Sequence, residues 1–142
     1  MEYVFPVPRE RLWEVLHDPE QIARFIPGCE KMEETGPDRY SATLRIGVAA
    51  IKGTYTGLVE IGEKEFPSHY TLSVEGSAAP GFVKGVASMD LAEVDGGRTR
   101  LAMKADAQVG GLIASVGQRF LTGIARQMTK QMFQNVEKAV AG

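Results

Sequence analysis

The sequence predicts an α+β domain in which a short strand and two short helices precede about six antiparallel strands, and one long C-terminal helix crosses the sheet. Three observations carry this reading. Tyr40, Ala42, Leu44 and Ile46 alternate with Arg39, Ser41, Thr43 and Arg45, and the same period of two returns in Tyr70, Leu72 and Val74 and in Leu101, Met103, Ala105 and Ala107, the signature of a sheet with one wet face. Asp95-Gly96-Gly97 separates two such stretches as a hairpin turn. Towards the end, Val116, Phe120, Ile124, Met128, Met132, Val136 and Val140 recur at every fourth position, which builds a buried seam along a helix.

Taken in order, Met1–Phe5 alternates as a short strand that Pro6 and Pro8 end. Pro8 suits a first helical turn. The apolar face of Leu12, Trp13, Val15 and Leu16 predicts an amphipathic helix that stops at His17 and Asp18. Asp18 then caps a second short helix with Pro19 at its first position, running through Phe25. Ile26-Pro27-Gly28-Cys29 reads as a turn. Further strands are expected around Thr54–Ile61 and Val86–Val94. Val109-Gly110-Gly111 is expected to open the long helix, which runs to about Val140 and carries Gly117 and Gly123 inside it. An interior helical glycine costs roughly 1 kcal/mol relative to alanine, so Gly117 is expected to make room either for a neighbouring strand or for a ligand.

The 142 residues fit a single domain over residues 1–142. A net charge of −2 gives no reason to expect a nucleic acid. Cys29 is the only cysteine, so the chain forms no intrachain disulfide and no cysteine zinc site, and the expected location is cytoplasmic. No apolar run approaches the roughly 18 residues of a membrane span, so membrane contact is expected to be peripheral at most.

The element order, together with Leu12-Trp13, Asp18-Pro19-Glu20, Ile26-Pro27-Gly28-Cys29, Val109-Gly110-Gly111 and Gly117-Gln118-Arg119, resembles the SRPBCC helix-grip superfamily of START lipid-transfer domains, the birch pollen allergen and polyketide cyclases. Within it, the chain is similar to the CoxG family, the G subunits of carbon monoxide dehydrogenase. The resemblance implies a curved antiparallel sheet of six or seven strands wrapped round the last helix, with an apolar cavity between them. It also implies an accessory role beside a molybdenum hydroxylase, with a link to the membrane or its quinones.

The expected inner face carries Tyr40, Leu44, Ile46, Tyr55, Val59, Tyr70, Leu72, Val74, Met89, Leu91, Leu101 and Met103, apolar or phenolic side chains that offer no general base. His17 falls at a helix end, and His69 and Asp90 fall at outward positions. No spacing suggests a metal site, and no cofactor or catalytic residue is expected. Met89, Met103, Met128 and Met132 fit either a soft ligand wall or ordinary core. Gly110-Gly111 lacks the lysine of a phosphate loop, and Cys29 has no activating neighbour beyond Lys31. The leading expectation is a non-enzymatic binder of a lipid or isoprenoid quinone. Its cavity is expected to be walled by Ile113, Val116, Gly117, Phe120 and Ile124 on the helix and by Tyr55, Tyr70, Phe82 and Met103 opposite, with Ile26 and Pro27 at the mouth. The alternatives are a cyclase or aromatase-like enzyme and an assembly factor acting through its surface.

Overall fold

Alternation and capping place the elements much as expected. The computed structural model describes residues 1–47, 52–78 and 81–141. Strand β1 (Glu2–Phe5) leads into helices α1 (Arg9–Leu16) and α2 (Pro19–Phe25), followed by β2 (Cys29–Gly36), β3 (Arg39–Ile46), β4 (Gly53–Glu65), β5 (His69–Ala78), β6 (Gly81–Val94) and β7 (Arg98–Gly111). A 3-10 turn (Leu112–Val116) and helix α3 (Gln118–Ala141) complete the chain. The expected caps form: Asp18 accepts a hydrogen bond from the Glu20 amide at 3.0 Å, with Pro19 opening α2.

The strands make one curved antiparallel sheet in the order β1-β7-β6-β5-β4-β3-β2. Each strand from β2 to β6 pairs with its successor in the chain, and β1 joins the far edge by pairing with β7. Gly96 (φ 77°) and Gly97 (φ 70°) supply the left-handed residues of the β6–β7 turn. Register then lines the inner face in rows. Met103, Met89 and Tyr70 form one row, Ala105, Ala87, Leu72 and Ile61 the next, then Ala107, Gly85, Val74, Val59 and Tyr40, and then Val109, Val83, Gly76, Gly57 and Ala42.

The main core fills one end of this face. Phe5, Leu12, Trp13, Phe25, Tyr70, Met89, Leu101, Phe133, Val136 and Val140 are among its buried members. Phe133 stands edge-on to Phe5, with ring centroids 6.1 Å apart. The Tyr3 hydroxyl donates to the Glu137 carboxylate, and the Asn135 amide donates to the Phe25 carbonyl at 3.0 Å. The last part of α3 is thus held by packing and by polar contacts to both β1 and α2.

The start of the last helix departs from the sequence reading. Gly110 and Gly111 close β7 rather than opening a helix, pairing with Phe82 and Gly81. A Cβ on Gly81 would lie 2.1 Å from the Gly110 carbonyl oxygen, and one on Gly110 would strike the Phe82 ring, so close strand approach explains Gly81, the overlying ring explains Gly110, and a φ of 74° explains Gly111. Gly117 lies outside any helix. Its φ of 97° breaks the chain between the 3-10 turn and α3, and a Cβ there would meet nothing within 4 Å. It answers a torsional need, and no neighbouring strand approaches it closely enough to require glycine.

Candidate functional site

Between the main core and a second, smaller apolar cluster, the inner face of the sheet is incompletely covered. The smaller cluster buries Tyr55 and Ile113, with Leu44, Ile46, Ala78, Val83, Val109, Val116, Leu121 and Ile124 packed partly around them. The band separating the clusters carries Val74, Gly85, Ala105 and Ala107, none of which belongs to either cluster. Alternation points Val74 inward, yet it is 38 % exposed, and Ala105 and Ala107 are exposed as well. An inward residue that water still reaches marks a groove.

Residue size and the helix seam together produce it. Gly85, Ala87, Ala105 and Ala107 form a two-by-two block of small residues on β6 and β7. Gly76 lies beside them, and a Cβ built there would meet nothing within 4 Å. Opposite, the four-step row of α3 is buried only in its second half, at Val136 and Val140. Ile124, Met128 and Met132 are partly buried, and Phe120 is 41 % exposed. Adjacent strands lie roughly 4.8 Å apart and two residues advance roughly 6.7 Å, so the floor over β5, β6 and β7 is about 10 Å wide and about 13 Å long.

The expected wall residues distribute unevenly. Tyr55, Ile113, Val116 and Ile124 meet in the smaller cluster at one end of the groove, and Tyr70 and Met103 pack into or against the main core at the other. Phe82 was expected on the inner wall, but Val83 takes the inward position in the smaller cluster, so Phe82 projects from the opposite face, over Gly110 and 49 % exposed. Phe120 is 41 % exposed in the first turn of α3, and Gly117 lies at the exposed break before that helix. Ile26 packs on the main core rather than standing at a mouth, and Pro27 leads into Gly28, which sits against Arg45 at the end of β3. Sequence reasoning missed Gly76 and the small-residue block as the floor. The visible signal was that the inward positions shrink from methionine and leucine to alanine and glycine along both β6 and β7.

The described inner face carries its titratable groups as the phenols of Tyr40, Tyr55 and Tyr70. His69 is on the outer face, with Nδ1 2.8 Å from an Asp90 carboxylate oxygen. Burial pushes the Tyr70 hydroxyl far above its ordinary range and raises those of Tyr40 and Tyr55, so these phenols stay protonated at neutral pH. The Cys29 thiol is likewise pushed up by burial and donates to the Lys31 carbonyl. Of two surface clefts, one of about 360 Å³ is lined by Glu63, Lys64, Glu65 and His69, and one of about 330 Å³ by Tyr40, Leu58 and Val59 together with the charged Arg39, Glu60 and Glu75.

His17 ends α1 stacked on Trp13 and edge-on to Tyr70. Its Nδ1 donates to the Trp13 carbonyl at 2.8 Å, which leaves Nε2 as an unprotonated acceptor, and that atom is buried without a partner among the described residues. Burial holds its pKa below the ordinary 6.5, aided by Lys64 and opposed by the Trp13 carbonyl and Asp38. Because the unfolded chain takes up a proton that the folded chain refuses, stability falls as pH drops through about 6.5 towards the lower folded value. Urea unfolding between pH 8 and 5 is expected to show this slope, and His17→Gln is expected to flatten it. An unchanged slope in the variant would assign the pH dependence elsewhere.

Known proteins resemble the chain at several distances. A conserved protein from Geobacillus kaustophilus is 36 % identical, with 99 % of this chain and 92 % of that one covered at a TM-score of 0.95. A START superfamily protein from Mycobacterium smegmatis shares the fold at 11 % identity and a TM-score of 0.78, covering 99 % of this chain and 94 % of its own. Ara h 8.0201 does so at 17 % identity and a TM-score of 0.69, with 99 % and 95 % covered. No curated protein matches the chain. The family model for the carbon monoxide dehydrogenase G subunit (CoxG) matches residues 4–141. With the helix-grip sheet, the long last helix and this match over nearly its whole length, the chain belongs to the CoxG family.

Proposed function

We propose that this protein binds a hydrophobic small molecule, of the lipid or isoprenoid quinone type, in the groove between β5–β7 and α3, without transforming it chemically. The observation that carries the reading is the exposure of inward Val74, Ala105 and Ala107 between two apolar clusters. Leaving such a band uncovered forfeits roughly 25 cal/mol for each Å² of apolar surface that a filled core would bury, and an apolar ligand recovers it. The floor of about 10 by 13 Å fits a flat ring system or a folded acyl segment. Met103, Met128 and Met132, partly buried along its margins, supply a polarizable wall that adapts to either.

The non-enzymatic reading is favoured over a cyclase because the groove floor presents alanine, glycine and valine, with methionine at its margins, and the His69–Asp90 pair lies on the other face. The family description supports service to a carbon monoxide dehydrogenase or related molybdenum hydroxylase. Titration with N-phenyl-1-naphthylamine, followed by competition with a short-chain quinone and with a fatty acid, tests the reading. Saturable one-to-one binding displaced by one of the two competitors is the expected result. Absence of saturable binding would refute it.

A further inference from the structure

The four-step row of α3 changes its surroundings along its length. Val136 and Val140 are buried in the main core and Met132 packs against it, whereas Ile124 packs into the smaller cluster and Phe120 is 41 % exposed. Met128, four residues from each of Ile124 and Met132, is partly buried and among the described residues belongs to neither cluster. Side chains four apart lie one above the other on a helix. Met128 therefore stands over the band between the clusters, the band floored by Val74, Gly85, Ala105 and Ala107.

The other methionines are placed differently. Met89 is 1 % exposed inside the main core, Met32, Met103 and Met132 pack against that core, and Met1 stands at the N-terminus, 47 % exposed. Met128 alone combines a thioether that water reaches with a place over the middle of the groove. Thioether oxidation follows such access, and its product is a polar, chiral sulfoxide.

We propose that Met128 is an oxidation site that controls the groove: a peroxide converts its thioether to the sulfoxide, and the sulfoxide expels the apolar ligand. The proposal rests on the groove being the binding site. In this step the sulfur attacks one peroxide oxygen, the S–O bond forms and the O–O bond breaks. The transferred oxygen gives its proton to the departing hydroxide, which leaves as water. Sulfur loses two electrons and the peroxide gains them. Val74, Gly85, Ala105 and Ala107 carry no side-chain donor for the new oxygen, so an apolar ligand strips water from the sulfoxide and replaces none of its hydrogen bonds. A bound ligand in turn covers Met128, so the loaded protein resists the oxidant and the empty protein loses its affinity.

Hydrogen peroxide treatment with and without saturating N-phenyl-1-naphthylamine tests this, with catalase added before each later dye titration. Trypsin cuts after Arg126 and Lys130, so Met128 and Met132 fall on separate peptides and mass spectrometry reads each site. Met128 is expected to oxidise about tenfold faster than Met89, and the dye is expected to slow it about fivefold. Kd of the oxidised wild type is expected to rise about tenfold, and to return after reduction by methionine sulfoxide reductases with a dithiol. Met128→Leu has no sulfur at this position, and its own Kd is expected to change less than about twofold on the same treatment. A Met128 oxidation rate that the dye leaves unchanged, or an oxidised Met128→Leu that loses as much affinity as the wild type, overturns the proposal. Should Met128→Leu fail to fold, protection by the dye in the wild type carries the test alone. An untreated wild type that does not bind the dye saturably overturns the groove reading and this site with it, whereas saturable binding without protection of Met128 overturns the site only.

Discussion

Gly76→Leu is expected to weaken binding of an apolar ligand by about a hundredfold while leaving the thermal midpoint unchanged or slightly higher. Gly76 faces inward in the row of Val83 and Gly57, and a Cβ built on it meets nothing within 4 Å. Its φ is outside the left-handed region, so leucine introduces no backbone strain there. A strand glycine costs roughly 0.5–1 kcal/mol relative to a residue with a side chain, so the substitution relieves a local penalty while filling the groove. Forcing a ligand against the added side chain costs about 1–3 kcal/mol, the scale of overpacking in a core. Dye titration read beside calorimetric unfolding separates the two effects. Full affinity retained in a folded variant would place the ligand elsewhere.

Phe133→Ala is expected to destabilise the fold by about 3–5 kcal/mol, the range for a buried phenylalanine truncated to alanine, and to lower the melting temperature by roughly 10–20 °C. Phe133 is 1 % exposed and packs against the rings of Phe5 and Tyr3. The matching truncation in the first half of α3, Ile124→Ala, is expected to cost about 1 kcal/mol, because Ile124 is only partly buried and leaves a smaller cavity. Equal costs at the two positions, measured by urea unfolding with unchanged m-values, would contradict the uneven anchoring of α3.

Most of the fold was legible in the sequence because alternation and capping are local signals. The face of Leu12, Trp13, Val15 and Leu16, the Asp18 cap, the Asp95-Gly96-Gly97 turn and the inward positions of Tyr40, Tyr70 and Leu101 all lie where periodicity puts them. The start of the last helix was not legible. Gly110, Gly111 and Gly117 signal a special backbone or close approach, but which of these applies depends on Gly81 and Phe82, distant in the chain, and on torsions that carry no sequence period. Phe82 misled for a related reason: Val83 and Phe82 are both apolar neighbours, and only the pairing of Val83 with Val109 and Gly76 settles which faces inward.

The groove was half legible. Its small floor residues were visible at alternating positions, but a row of alanines and glycines also suits a tightly closed core, as it does at Ala42 and Gly57, both buried. What distinguishes the two is whether α3 comes down on the row. The regular four-step seam suggested that it does throughout, whereas Phe120, Ile124 and Met128 show burial fading towards the break at Gly117.

The central claim is that the uncovered band between the two clusters carries an apolar molecule. Native mass spectrometry of wild-type protein and Gly76→Leu, each purified from the protein's own cells without detergent, tests it most directly. The expected spectrum shows the wild type with an added mass that extraction identifies as a quinone or lipid, and the variant at the bare polypeptide mass. A wild type at its bare mass, or the same added mass retained by Gly76→Leu, would contradict the claim.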